Sequence, residues 1–124
     1  MNTKHKGDVA LTQAIAYYAE CGYEILLPLG DKRPYDLVVE KLGKLYKVQS
    51  KYTSSKKPSG NYEVSLRITG GNQSFNSAKK YQPDDFDLLF VYADNGSKYE
   101  FPGSMGTNRN SISLGRKYDK FKVG

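Results

Sequence analysis

The strongest constraint on the fold lies in residues 36–52. DLVVE (36–40) and the stretch from Lys44 to Tyr52 both read as strands, joined only by Lys41-Leu-Gly-Lys44. A link this short makes a hairpin, with Gly43 available for a positive φ. Pairing that closes near residues 41–44 makes partner numbers sum to about 85. Asp36 then faces the neighbourhood of Gln49, and Lys51 shares a face with Gln49 because side chains alternate.

The rest of the chain frames this hairpin. Leu11, Ala14, Ile15, Tyr18 and Cys21 recur at helical spacing without a proline, so a helix comes first. Asn2 or Thr3 caps it and Gly22 stops it, while Gly7 weakens it or admits another chain close by. Residues 24–28 (EILLP) form a short strand and 30–34 (GDKRP) a turn. Residues 53–61 are a loop, and 62–68 alternate as a half-exposed strand. Residues 69–84 are a loop with a helical turn at 77–81. Residues 86–93 (FDLLFVYA) are the most apolar strand and belong in the centre of the sheet. A turn at 94–96, a strand at 98–101 stopped by Pro102, a loop at 103–110 and a last strand at 112–114 precede a basic tail. The pattern indicates one α/β (α+β) domain over residues 1–124, with an N-terminal helix and a central mixed β-sheet.

Composition narrows the function. The 124 residues carry 19 Lys+Arg against 13 Asp+Glu, a net charge of +6. A basic domain is drawn to polyanions, nucleic acid above all. Six lysines and no acid occupy residues 41–57, and six basic residues against two acids occupy 98–124. Tyrosines interleave both segments, which suits a phosphate backbone. With Cys21 alone no intrachain disulfide forms, and a reducing cytoplasm fits. No apolar run nears the roughly 20 residues that span a bilayer, so no membrane association is expected, and no secretory signal is read at the start. The lone histidine, His5, reads as part of a frayed terminus. It excludes an HNH site, a Cys/His zinc site and a Ser/His/Asp triad. Gly70-Gly71 is not followed by Gly-Lys-Ser/Thr, so there is no P-loop.

One carboxylate (Asp36), one amide oxygen (Gln49) and one ammonium (Lys51) thus converge on the hairpin. Oxygen ligands of this kind hold a hard divalent cation, which polarises a phosphoryl oxygen and acidifies a water. A lysine there orients the water or offsets transition-state charge. Each residue also has a plainer reading: Asp36 as a turn cap, Gln49 as a strand polar residue, Lys51 as a phosphate contact, Asp8 as a helix-start acid favoured by the dipole. Glu24 and Glu40 read as surface or salt-bridged acids, and Asp85 and Asp87 as caps.

The set Pro34-Tyr-Asp36 followed by Gln49-Ser-Lys51 resembles the PD-(D/E)xK nuclease superfamily. HKGD (5–8), PLGD (28–31), YDLVVE (35–40), GKLYKVQSKY (43–52), YEFP (99–102) and SLGRKYDKFK (113–122) extend the likeness to its bacterial group I intron homing endonucleases, which carry Gln in the motif. The resemblance implies a restriction-endonuclease-like core with long DNA-facing loops. It implies a Mg²⁺-dependent endodeoxyribonuclease, with Mn²⁺ as a possible substitute, that makes site-specific double-strand cuts. Asp36, Gln49, Lys51 and Asp8 would be catalytic, with Asp36 and Gln49 holding the metal. Three departures stand out: Tyr35 separates Pro34 from Asp36, Gln49 is neutral, and Leu11 occupies the place where the superfamily often has a helix glutamate, leaving Asp8 one turn earlier.

A double-strand cut needs two sites, so a homodimer or homotetramer on double-stranded DNA follows. Loops 53–61, 69–76 and 103–110 are the expected DNA-facing segments. Lys32, Arg33, Lys56, Lys57, Arg67, Arg109, Arg116 and Lys117 are the expected contacts, arginines reading base edges and lysines positioning the backbone. A structure-selective Holliday-junction resolvase and a catalytically silent DNA-binding module are the alternatives.

Overall fold

The computed structural model describes residues 1–68 and 79–124. The chain runs α1 (Thr3–Glu20), β1 (Glu24–Leu26), β2 (Leu37–Lys41), β3 (Lys44–Thr53), β4 (Tyr62–Ser65), β5 (Arg67–Ile68) and β6 (Lys79–Lys80). It continues with β7 (Leu88–Ala93), β8 (Lys98–Pro102), β9 (Ser111–Leu114) and β10 (Lys122–Val123). A six-stranded mixed sheet has the order β1-β2-β3-β7-β8-β10, and β4-β9 and β5-β6 form two small antiparallel pairs.

The Asn2 side chain caps α1 by accepting from the backbone N–H of His5 at 2.8 Å. His5 is therefore in the first helical turn, not in a frayed terminus. At the other end Gly22 takes a φ of +89°. Its N–H donates to Ala19 O and that of Tyr23 to Tyr18 O, a Schellman closure that only glycine adopts without strain. Cys21 is the C-cap residue, exposed and outside the apolar stripe. Gly7 lies inside the helix with a helical φ, and nothing is within 4 Å of where its Cβ would be. A glycine there costs roughly 0.5–1 kcal/mol relative to alanine.

The hairpin closes as its sequence requires. Leu37 pairs with Val48 and Lys41 with Lys44, and the turn Leu42-Gly43 has positive φ at both residues, the twist that antiparallel strands favour. β3 then pairs in parallel with β7, Val48 with Leu88 through Thr53 with Ala93. β7 lies in the interior of the sheet and is covered on both sides, which accounts for its unbroken apolar run. Phe90 joins Ala14, Tyr18, Leu37, Val39 and Val48 under α1. Leu89, Val91 and Ala93 join Phe101, Val64, Ile112 and Tyr81 on the opposite face. The buried Tyr18 hydroxyl reaches through to donate to Glu100 Oε2 at 2.7 Å, tying the helix to β8.

Four expectations change. Residues 62–68 are two strands: Leu66 donates its N–H to Asn110 O, and the chain passes from β9 to β6 as partner. Residues 79–80 are strand rather than helical turn, Tyr81 follows outside any helix, and residues 77–78 of that expected turn lie outside the described residues. The 103–110 loop opens with a 3-10 helix, Gly103–Gly106. The basic tail is ordered: Arg116–Phe121 forms a 3-10 helix that packs Tyr118 and Phe121 on Phe101, and β10 then extends the sheet.

Candidate active site

The first half of α1 and the open end of the hairpin enclose a cleft of about 450 Å³. Asp8, Leu11, Asp36, Gln49, Lys51 and Arg67 are among its lining residues. Asp36 stands just before β2, its N–H donating to Val48 O at 2.8 Å. The hairpin register, carried back one residue from Leu37↔Val48, sets it opposite Gln49. Its Oδ2 accepts two bonds from Ser50, from the backbone N–H at 2.9 Å and the hydroxyl at 2.7 Å. Both bonds fall on one oxygen, so Oδ1 is left for the cleft.

Gln49 is nearly buried. Its Nε2 donates to Ser50 O at 3.2 Å, which leaves Oε1 as an acceptor. The Lys51 ammonium lies 5.1 Å from the centroid of the buried Tyr81 ring. Burial draws it below the ordinary lysine range, and the Asp36 carboxylate pulls it partly back. Burial and then Asp36 push the Tyr81 hydroxyl well above the usual phenol range, so it remains protonated.

The lowered Lys51 value gives a stability prediction. A lysine with a depressed folded value binds fewer protons folded than unfolded. Stability therefore rises with pH between that value and the ordinary 10.5, and below this window the charged form carries the full penalty. Lys51→Met removes the penalty without shortening the stem. Its melting temperature is expected above that of wild type at about pH 7, with the difference closing towards pH 10. Thermal melts across that range check it.

The expected nucleic-acid contacts disperse. Arg67 reaches the cleft. Lys32 and Arg33 are exposed in the turn after β1, and Arg116 and Lys117 on the last 3-10 helix. Lys56 lies 5.2 Å from the Tyr62 ring centroid, and Lys57 pairs with Glu63 at 3.5 Å. Arg109, the remaining expected contact, also has a structural role. It is half-buried and braces its own loop, Nε donating to Ser111 O at 3.2 Å and Nη1 to Met105 O at 3.4 Å. Loop 69–76 lies outside the described residues. Asp84, Asp85 and Asp87 serve the fold: Asp87 Oδ2 accepts from Lys47 N at 2.8 Å, Lys47 Nζ donates to Asp84 O, and Asp85 accepts from Gln82 N. Glu24 and Glu40 sit opposite each other across β1 and β2, at the hairpin's far end. The sequence reading missed Ser50, treated as a spacer inside the motif, and Tyr81, an aromatic beside two lysines that gave no signal of its own.

A profile of the PD-(D/E)XK endonuclease family matches residues 1–115. The chain belongs to this family. A solved structure, that of the bacterial homing endonuclease I-Ssp6803I, superposes with a TM-score of 0.82 at 35% identity, covering 94% of this chain and 80% of that one. Protein 5.3 of Escherichia phage T7 is 32% identical over 95 residues, 76% of each chain. The PD-(D/E)XK chain described here is thus a nuclease with a restriction-endonuclease-like α+β fold, related to bacterial homing endonucleases. Enzymes of this family generally use divalent metal ions. No helix among the described residues is long and apolar enough to cross a membrane.

Proposed function

We propose that this chain is a Mg²⁺-dependent endonuclease that hydrolyses phosphodiesters of double-stranded DNA at specific sites, in the manner of a homing enzyme. The convergence of Asp36, Gln49 and Lys51 in one cleft carries this reading. The donor set fits a hard cation: Asp36 Oδ1, Gln49 Oε1 and the Asp8 carboxylate are all oxygens. Mn²⁺ would fit the same ligands. When bound, the cation supplies Lewis acidity at the phosphoryl oxygen and the attacking water. Ser50 fixes Asp36 so that one oxygen keeps a constant direction. Lys51, seated against Tyr81, offsets the negative charge that builds on the phosphorus oxygens in the transition state.

Among the described residues no cluster of three His, Cys, Asp or Glu is placed to hold a metal. Two carboxylates and an amide make a site of low charge, so its demand for metal is high. Gln49→Glu adds the missing charge. The Mg²⁺ concentration for half-maximal cleavage is expected to fall on the order of tenfold. A titration of rate against Mg²⁺ that shows no shift would remove Gln49 from the ligand set.

A double-strand cut by one compact site per chain requires a homodimer or homotetramer. Exposed leucines support this, Leu26 at the end of β1, Leu27 and Leu29 after it, and Leu42 and Leu45 at the hairpin tip. The experiment is cleavage of a supercoiled plasmid library with Mg²⁺ or EDTA, with fragment ends mapped and subunit number measured by sedimentation. Discrete ends from an oligomer support the reading, and random ends remove site specificity. Leu11 and the neutral Gln49 favour one second reading, DNA binding without cleavage. It would appear as salt-sensitive binding with no nicking at any metal concentration.

A further inference from the structure

A second depression of about 560 Å³ adjoins the active-site cleft and shares Thr3, Lys6, Tyr52 and Ser65 with it, so the two make one trough. Hydroxyls and an amide dominate its lining, Ser54, Ser55, Ser111 and Asn110 among them. Its carboxylate, Glu63, is engaged by Lys57 at 3.5 Å and by the Ser111 hydroxyl at 3.3 Å. A polyanion lying in the trough therefore meets donors, with the acid already countered.

Lys6 and Gly7 stand where the two depressions meet. Lys6 Nζ donates to Ser54 Oγ at 3.0 Å and lies 5.8 Å from the centroid of the Tyr52 ring. An ammonium has three donors, so one bond to Ser54 leaves it able to take a phosphate oxygen. Gly7 poses a separate question. Its backbone is helical and a Cβ there would meet open space, so the folded chain has no need of glycine at a position where glycine weakens the helix. Gly7 does line the cleft. A glycine facing a cleft lets another backbone approach to van der Waals distance.

We propose that Lys6, Gly7 and Ser54 form a subsite for the sugar-phosphate backbone of the cut strand, beside the scissile phosphate; this rests on the nuclease reading above. The sugar edge passes over Gly7, and the neighbouring phosphate is taken by Lys6 with the Ser54 hydroxyl.

Gly7→Ala and Lys6→Gln test it through plasmid nicking kinetics in Mg²⁺, binding of a labelled random duplex in EDTA, and thermal melting. Gly7→Ala is expected to melt higher by about 2–5 °C. Its KM for plasmid should rise roughly tenfold, the effect of one lost close contact, with kcat changed much less. Lys6→Gln should weaken duplex binding and lower the slope of log affinity against log salt by about one. Gly7→Ala with a raised melting temperature and an unchanged KM would overturn the subsite. So would Gly7→Ala that melts lower than wild type, because the fold itself would then need the glycine. If the wild type does not nick, the nuclease reading fails by itself, and the duplex-binding arm still decides whether Lys6 and Gly7 bind a nucleic-acid backbone.

Discussion

Asp36→Asn is expected to give a folded protein that no longer cuts. Asparagine has the shape of aspartate, and its carbonyl oxygen can accept the same two bonds from Ser50, the N–H at 2.9 Å and the hydroxyl at 2.7 Å. The oxygen facing the cleft becomes an NH₂ group, which repels a cation instead of binding it. The change also removes the carboxylate that holds up the Lys51 value, so the ammonium falls further below its ordinary range. Both effects act on the transition state and neither on the core. The loss in cleavage rate is put on the order of 10³-fold or more, with the melting temperature within a few degrees of wild type. Single-turnover nicking and a thermal melt check the two halves of this prediction. A variant that cuts at a tenth of the wild-type rate or better would show that Asp36 is a turn cap and no more.

Phe90→Ala is expected to be the costliest single change in the core. Phe90 is fully buried at the centre of the sheet, paired with Ser50 of β3 on one side and Glu100 of β8 on the other. Its ring lies 5.8 Å from that of Tyr17 and 6.0 Å from that of Tyr18, so it is the surface on which α1 rests. Truncation loses the transfer energy of the ring and leaves a cavity, about 3–5 kcal/mol in comparable cores. Domains of this size have only about 5–15 kcal/mol in total. The melting temperature should fall by roughly 10–20 °C, and denaturant titration should show the same loss. Cleavage should weaken well below that midpoint, because α1 carries Asp8 into the cleft. A loss under about 1 kcal/mol would mean that the helix is seated by other contacts.

The sequence held most of what positions the site. The alternation of residues 36–40 and 44–52 and the brevity of their link fixed one register, and Asp36 opposite Gln49 follows from it. The apolar run before Asp94 could only be a strand covered on both faces, and β7 is that strand. Tertiary partners decided the rest. RKYDKF reads as part of a basic tail because four of its six residues are charged, yet Tyr118 and Phe121 are three apart and fall on one side of a 3-10 turn against Phe101. The break at Leu66 leaves no local trace, since it arises where Asn110 takes the backbone N–H. Arg109 reads from the sequence as a nucleic-acid contact, and that its guanidinium also bonds the carbonyls of Met105 and Ser111 leaves no local trace. Ser50 went unnoticed because a motif written with a free middle position says nothing about the residue that orients its acid.

The most direct test compares wild type with Lys51→Met on supercoiled plasmid, with Mg²⁺ and with EDTA. Lys51→Met is the informative partner because its stability is expected to rise, so lost activity cannot be ascribed to unfolding. Nicking and linearisation by wild type in Mg²⁺, absent in EDTA and absent in a Lys51→Met protein that melts at or above wild type, is the predicted result. Cutting that survives in Lys51→Met, or in EDTA, would contradict the assignment of this cleft as the hydrolytic site.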